Sequence, residues 1–198
     1  MGMKSFEYAN ATIVIYGSST GTCEAIAEKI ASKLGCEALN VQDLTADVVA
    51  ANQNLILGTS TWGAGELQDD WYDGLKTLQG ADLSGKTIAL FGCGDCSSYS
   101  DTFVGGMGEL YNGIKAAIER GQNDACIDSA EHEQARPQVK NSGAKFIGSV
   151  ETDGYTFDDS EAVIDGKFVG LPLDDINEDD KTDTRIEAWI AAISPDLT

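Results

Sequence analysis

Three short loops of this 198-residue chain hold the residues best suited to bind a ligand. The first, Gly17-Ser18-Ser19-Thr20-Gly21-Thr22-Cys23-Glu24, lies between an apolar β-branched run and an amphipathic stretch. Backbone N–H groups at such a strand-to-helix turn converge on an anion, and the hydroxyls add further donors. The loop lacks the lysine of a P-loop NTPase and the G-x-G-x-x-G of a dinucleotide-binding fold. We therefore expect a phosphate here to be bound by neutral donors alone.

The other two loops place an aromatic side chain among small residues. Trp62 lies within Thr59-Ser60-Thr61-Trp62-Gly63-Ala64, and Tyr99 lies between Cys93 and Asp101. Flat aromatic faces stack on planar rings. A phosphate site with two aromatic walls is typical of a flat phosphorylated cofactor. The structural alternatives are a plain strand-to-helix turn and a tryptophan that caps the core.

The elements that must position these loops alternate between strands and helices. Their periodicity predicts strands at 11–16, 37–41, 54–58, 87–91 and 144–148, and helices near 22–34, 44–50, 68–78, 103–119 and 182–193, the last with Thr182 as N-cap. This alternation predicts an α/β fold, a doubly wound five-stranded parallel sheet with helices on both faces. Ligands of such folds bind outside the carboxyl ends of the strands, where all three loops should meet.

Two segments interrupt the alternation within what we expect to be a single domain spanning residues 1–198. The segment 121–142 is polar and contains His132, the sole histidine, which we interpret as a solvated surface residue. We expect this segment to be a surface extension at the end opposite the loops; a docking or dimerisation element, with a short helix over 129–140, is the alternative. The segment 151–167 separates the fifth strand from a second apolar piece at 168–171.

The composition limits the partners of this chain. Its 33 acidic and 13 basic side chains give a net charge of −20, which argues against binding nucleic acid or an anionic membrane surface and favours basic partners. No apolar run approaches the ~20 residues that span a bilayer. Five cysteines, an odd number in a chain that needs no disulfides, indicate a reducing cytoplasm.

The three loops and two later segments are similar to those of the flavodoxins, small carriers of non-covalent FMN. The resemblance covers nearly the whole chain and rests on Ser18 to Thr22, Thr61-Trp62 followed by Gly65-Glu66-Leu67, Phe91 to Asp95 with Tyr99, Thr152-Asp153-Gly154-Tyr155, and Asp165 to Leu171. It implies the strand order 2-1-3-4-5. The interruption at 151–167 resembles the loop of the long-chain class.

The resemblance also implies a role for each loop. Ser18, Ser19, Thr20, Gly21, Thr22 and Cys23 would hold the FMN phosphate. Trp62 and Tyr99 would sandwich the isoalloxazine, whose edges would be lined by Thr59, Ser60, Thr61, Gly63, Ala64, Cys93, Gly94, Asp95, Cys96 and Asp101, with Asp153 as a peripheral contact. Two positions depart from the family pattern. Cys23 replaces a threonine or serine with a poorer donor, and Cys96 replaces a longer polar residue.

The function implied by the resemblance is that of an electron carrier rather than an enzyme. The FMN would cycle between semiquinone and hydroquinone at low potential, because aromatic walls and nearby carboxylates disfavour the anionic hydroquinone. The Gly63–Ala64 peptide would flip towards flavin N5–H, a change that glycine tolerates. The expected partners are basic-surfaced redox proteins, namely flavodoxin/ferredoxin reductase-like donors and acceptor oxidoreductases, and the carrier is expected to be a monomer.

Other functions fit parts of the pattern. An FMN-dependent quinone reductase-like enzyme on this fold would need a substrate or nicotinamide pocket, for which the rim offers no extra basic residue. A receiver domain would need a lysine after the fifth strand, where Leu171-Pro172-Leu173 has none. A thioredoxin-like role for Cys93-x-x-Cys96 conflicts with its place in the third loop. The acidic run 174–180 lacks EF-hand spacing, so no metal is expected, and we interpret the run as a partner-facing loop.

Overall fold

A parallel β-sheet forms the centre of the molecule, and its strands follow the apolar runs of the sequence. The computed structural model describes residues 11–128 and 143–197. Within them the sheet order is β2 (Glu37–Asn40), β1 (Thr12–Gly17), β3 (Asn54–Trp62) and β5 (Thr87–Cys93), with β6 (Lys145–Ile147) and β10 (Leu171–Leu173) both pairing in parallel with β5. The expected order 2-1-3-4-5 is confirmed, with the fifth strand supplied in two pieces. A short β4 (Glu66–Leu67) pairs antiparallel with the end of β3.

The described helices are α1 (Thr22–Leu34), α2 (Ala46–Ala51), α3 (Trp71–Gly80), α4 (Gly105–Asp128) and α5 (Asp179–Ile193). They form a layer on each face of the sheet because successive strand side chains point in opposite directions. Val14 and Ile56 pack with α1 and α5, whereas Ile15 and Leu57 pack with α2, α3 and α4. Among the described helices, none has both the length and the apolar character needed to cross a bilayer.

The bounds of α1 agree with the expected helix at 22–34, but two other helices differ from expectation. Helix α4 continues to Asp128, well past residue 119, so the first part of the 121–142 segment extends this helix. The rest of that segment, including His132 and the stretch 129–140, lies outside the described residues.

The expectation that Thr182 is the N-cap of the closing helix is wrong. Helix α5 begins three residues earlier, with Glu178 as its N-cap and Asp179 and Asp180 in its first turn, where carboxylates interact favourably with the helix dipole. The Thr182 hydroxyl instead donates to Asp175 Oδ1 at 2.9 Å. Aspartates are themselves good residues for a helix start, so the acidic run 174–180 conceals the boundary in the sequence.

The segment 151–167 is a packed unit of its own. Strands β7 (Val150–Glu151), β8 (Val163–Ile164) and β9 (Lys167–Phe168) form an antiparallel sheet in the order β7-β9-β8. Phe168 is buried at its centre, with its ring centroid 5.0 Å from that of Phe157, 5.3 Å from Tyr155 and 6.1 Å from Phe103. Through these ring contacts the segment 151–167 packs against Phe103, which lies just before α4.

Gly58 of β3 is packed closely by the side chain of a neighbouring strand. It pairs with Tyr16 of β1 and Phe91 of β5, and a Cβ at this position would overlap the Phe91 ring. Its carbonyl accepts a hydrogen bond from the buried Trp71 Nε1 at 2.8 Å. The absence of a side chain at residue 58 therefore leaves room for the Phe91 ring beside β3.

We expect Gly58→Ala to lower the free energy of unfolding by about 1–3 kcal/mol, because the Phe91 ring must move to admit the methyl group. Gly80→Ala is the matched control: nothing lies within 4 Å of a Cβ at the end of α3, so this variant should be neutral or slightly stabilising. Urea denaturation of the apoprotein measures both. Equal stabilities for the two variants would contradict the close approach at Gly58.

Candidate functional site

A cavity of about 310 Å³ opens at the carboxyl ends of the parallel strands. It is lined by the last residues of β3 and β5, the start of α1, and the loops after β1, β3, β5 and β10, namely Thr20, Thr22, Ser60, Thr61, Trp62, Gly63, Cys93, Gly94, Asp95, Tyr99, Thr102, Phe103, Val104, Asp175 and Ile176. The three loops singled out in the sequence thus meet at one site, and a fourth joins them.

The first loop ends in the N-terminus of α1. Gly21 is the N-cap in the left-handed conformation, with φ at 92°, and its N–H donates to Ser18 Oγ at 3.1 Å. The N–H groups of the first helical turn have no partner within the helix. Thr20 and Thr22 add side-chain hydroxyls to the cavity wall beside these N–H groups. This arrangement suits an anionic group.

The Cys23 thiol lies in the core rather than in the cavity wall. Cys23 is fully buried in the same core cluster as Cys93; burial foremost, and the neighbouring Cys93 thiol second, raise the pKa of Cys23 well above its ordinary value. Residues three and four positions further on, Ile26 and Ala27, are buried on the same face of α1. Helical periodicity could have indicated this orientation.

The second loop turns tightly at Trp62. Gly65 N–H donates to the Trp62 carbonyl at 3.1 Å, and Gly63 and Gly65 have φ of 52° and 100°, values that other residues rarely adopt. The Trp62 indole donates to Ser60 Oγ at 3.0 Å, yet 42% of the residue is exposed. The turn therefore presents an aromatic face that the protein itself does not cover.

Two threonine hydroxyls in the cavity wall have unused hydrogen-bonding capacity. Thr61 Oγ1 and Thr102 Oγ1 are both buried, and neither has a hydrogen-bond partner among the described residues. Buried hydroxyls without a partner are costly, so each is a candidate contact for a polar group of a ligand.

The third loop is held by hydrogen bonds to Asp95. The Oδ1 atom of Asp95 accepts from Ser97 N–H at 3.0 Å and Ser98 N–H at 2.7 Å, and its carbonyl accepts from Tyr99 N–H at 3.1 Å. The bond from Ser98, helped by further ones from Asn177 and Ser97, lowers the pKa of Asp95. Tyr99 follows this turn with 56% of its surface exposed.

The cavity does not bring together every residue expected there. The expected residues outside its lining are Ser18, Ser19, Gly21, Cys23, Thr59, Ala64, Cys96, Asp101 and Asp153. Most of them are neighbours of lining residues, whereas Asp153 is exposed on the segment 151–167. Sequence reasoning missed Thr102, Phe103, Val104, Asp175 and Ile176. Asp175 and Ile176 follow the last sheet strand, where the rule about carboxyl ends could have found them.

The charges lining the cavity are all negative. Asp95 and Asp175 line it, and no lysine or arginine does so among the described residues. An anion bound near α1 would therefore be held by N–H and hydroxyl dipoles without a countercharge. A planar ring near Asp95 would meet a local field that opposes any added negative charge.

Comparisons with known proteins agree on one family. The sequence model of the family "Flavodoxin" matches residues 14–189. "Flavodoxin 1" of Azotobacter vinelandii is 43% identical over 191 residues, covering 93% of this chain and 95% of its own, and "Flavodoxin" of Helicobacter pylori is 37% identical over 181 residues, covering 91% and 94%. The crystal structure of Fusobacterium nucleatum flavodoxin bound to flavin mononucleotide has a TM-score of 0.75 and 28% identity, with 94% and 99% of the two chains covered.

We expect Asp95→Asn to weaken the dependence of stability on acid pH. The folded-state pKa of Asp95 lies below its ordinary value of 3.8, so its carboxylate stabilises the fold above that pH, and this contribution is lost as the pH falls through the folded-state value. Between about pH 5 and 2.5, the unfolding free energy of the wild type should therefore fall relative to that of Asp95→Asn.

Urea denaturation across this pH range measures the difference. Asp180→Asn, at an exposed position in the first turn of α5, is the control for removing one charge. A gap between wild type and Asp95→Asn that stays constant with pH would contradict a depressed pKa at this site.

Proposed function

Because the chain belongs to the flavodoxin family, we propose that its cavity binds FMN and that the protein carries single electrons between a reductase and acceptor enzymes. Membership of this family makes it an electron-transfer protein and not an enzyme. When bound, FMN supplies the ring that accepts and gives up electrons. The observation that carries the proposal is a single cavity with a helix N-terminus on one side and two exposed aromatic side chains, Trp62 and Tyr99, on the other.

The residues present fit this cofactor. The cavity volume of about 310 Å³ is in the range of small-molecule sites, about 300–1,000 Å³. The unpartnered hydroxyls of Thr61 and Thr102 offer polar contacts for the edges of a heteroaromatic ring. Exposed aromatic residues gain most from burial against such a ring, because each has a large apolar face.

The phosphate end is assigned to the first loop. The N–H groups of Thr22 to Glu24, together with the hydroxyls of Thr20 and Thr22, would hold the phosphate by hydrogen bonds and by the helix dipole. Ser18 has a different task, because its hydroxyl accepts the Gly21 N–H and thereby fixes the turn. The buried Cys23 side chain would not contact the phosphate, but its backbone N–H lies in the first helical turn and remains available to it.

The ring end is assigned to the second and third loops. Trp62 and Tyr99 would cover the two faces of the ring and exclude water from it, and Asp95 would keep a negative charge close by. A nearby carboxylate in a partly desolvated site disfavours an additional negative charge on the ring. The chain's own groups would thus lower the potential at which the cofactor accepts its second electron.

The acidic loop after β10 supports docking of basic-surfaced partners. Ile176 lies at the cavity mouth with 72% of its surface exposed, and Asp175, Asp179 and Asp180 are exposed beside it. Carboxylates around an apolar residue would steer a basic protein to the place where the ring is nearest to solvent. We propose flavodoxin/ferredoxin reductase-like donors and acceptor oxidoreductases as these partners.

We also propose that the carrier works as a monomer in the cytoplasm. The free thiols of Cys23, Cys36, Cys93 and Cys96 support a reducing compartment. A monomer would leave Trp62, Tyr99 and Ile176 open to a partner.

We expect the double variant Thr20→Val/Thr22→Val to bind FMN about tenfold more weakly or worse, since a hydrogen bond to a charged group contributes about 1.5–3 kcal/mol. Riboflavin lacks the phosphate and should bind both proteins equally. Quenching of flavin fluorescence on titration with apoprotein measures the two dissociation constants.

Thr77→Val, the same change at a half-buried position of α3 outside the cavity lining, is the control variant. Failure of the wild type to bind FMN would overturn the proposed function. Equal losses of FMN and riboflavin affinity in the double variant would overturn the assignment of the phosphate end.

We expect Ile176→Asp to slow electron transfer from a basic-surfaced reductase by about tenfold, because a buried apolar contact of this size contributes about 1.5–3 kcal/mol. Because Ile176 also lines the cavity, the FMN affinity and midpoint potentials of the variant are measured as well, and rates are compared at full FMN occupancy. Stopped-flow reduction of the holoprotein at low and high salt measures the rate. Tyr72→Asp removes another exposed apolar side chain, on α3 outside the cavity lining, and should leave the rate unchanged; equal slowing in both variants would contradict a role for Ile176.

A further inference from the structure

We propose that Asp174 is a positioning residue for the flavin, fixing from the interior the loop that carries Tyr99. The inference rests on the proposed function, because it concerns the cavity wall in which the ring would lie. Asp174 itself does not line the cavity. It follows directly after β10 and is completely buried, with 0% of its surface exposed.

The hydrogen bonds that the Asp174 carboxylate accepts come from two loops. Its Oδ2 accepts from Cys96 N–H and from Asn177 Nδ2, both at 2.8 Å. Its Oδ1 accepts from the N–H groups of Ile176 at 3.0 Å and Asn177 at 2.9 Å. The first of these bonds spans 78 positions of sequence and joins the loop after β10 to the third loop.

Asn177 extends this connection to the turn before Tyr99. Its Nδ2 donates both to Asp174 Oδ2 at 2.8 Å and to Asp95 Oδ1 at 2.9 Å. Asp95 in turn accepts the N–H groups of Ser97 and Ser98 through its side chain and that of Tyr99 through its carbonyl. A continuous series of hydrogen bonds therefore runs from a buried carboxylate to the backbone of the aromatic wall.

The chemistry of the three side chains suits this task. One amide group lies between two carboxylates and donates one hydrogen to each, which a carboxylate at residue 177 could not do. Burial alone would raise the pKa of Asp174, but the hydrogen bonds from Cys96 and Asn177 outweigh it and keep the pKa below its ordinary value. The site therefore retains a fixed anion that needs all of its donors in place.

Asp174→Asn tests the proposal with almost no change of shape. One oxygen becomes an NH₂ group that faces two donors, whichever way the amide lies, so two of the four hydrogen bonds that Asp174 accepts in the two loops are lost in either orientation. We expect lumiflavin (the ring without ribityl chain or phosphate) and FMN to bind at least about tenfold more weakly, because buried donors left without an acceptor destabilise the loop arrangement that binds the ring. The ratio of FMN to riboflavin affinity should be unchanged, because α1 is not affected.

Two readouts distinguish positioning from a general loss of stability. The visible circular dichroism of bound FMN and its two one-electron midpoint potentials should change in Asp174→Asn. They should not change in Ile114→Val, a core variant in α4, or in Asp180→Asn, which removes one exposed charge. Asn177→Ala removes the bridge at an exposed residue, so the fold should persist, and it should produce a smaller change in the same direction.

The outcomes separate this inference from the function on which it rests. If wild-type protein fails to bind FMN, the proposed function is wrong. If wild type binds FMN but Asn177→Ala and any folded Asp174→Asn protein bind lumiflavin as tightly, with unchanged circular dichroism and potentials, the positioning role is overturned. A reduced FMN-to-riboflavin ratio would also overturn it, since that result would place the effect at the phosphate end.

Discussion

The register of β3 against its two neighbours is the constraint on which the site depends. Gly17 pairs with Thr59, and Thr59 pairs with Gly92, so the first three loops leave the sheet at the same level. A slip of one residue would turn every side chain of β3 to the opposite face. The register is maintained by strands buried on both faces and by the close approach at Gly58. The cavity is thus a consequence of how the core packs.

The electrostatic effect of an acidic side chain depends on its distance from the cavity. Charges are largely screened beyond about 8 Å at physiological salt. Under the proposed function, Asp95 and Asp175 in the cavity wall would act on the cofactor, whereas Asp179 and Asp180, exposed outside its lining, would act only on approaching partners. The buried Asp174 belongs to neither group, because its charge is used for internal hydrogen bonds. The net charge of −20 is an excess of 33 acidic over 13 basic side chains, and it does not correspond to a single function.

Local sequence patterns predicted the elements best where propensity and packing agree. In α1 the apolar spacing, the small-residue turn before it and Gly35 after it all indicate the same helix, and its bounds were correct. The continuation of α4 to Asp128 and the start of α5 at Asp179 were missed, because both lie in polar stretches of the sequence. The three loops could be located because each directly follows a strand. The fourth loop follows β10. This strand is the second piece of the fifth sheet strand, and the segment 151–167 separates it from the first piece, β6.

The sequence alone determined the α/β alternation, the strand order implied by its motifs, and the donor and aromatic residues of the three loops. Those properties depend on residues close together in the chain. Only the tertiary structure decided that Cys23 and Cys93 share one core cluster, that Ile176 lines the cavity, and that the Asp174 carboxylate accepts a hydrogen bond from the loop of Tyr99. These contacts join residues far apart in sequence. No local periodicity encodes them, because they arise when packed layers bring separate loops to one edge of the sheet.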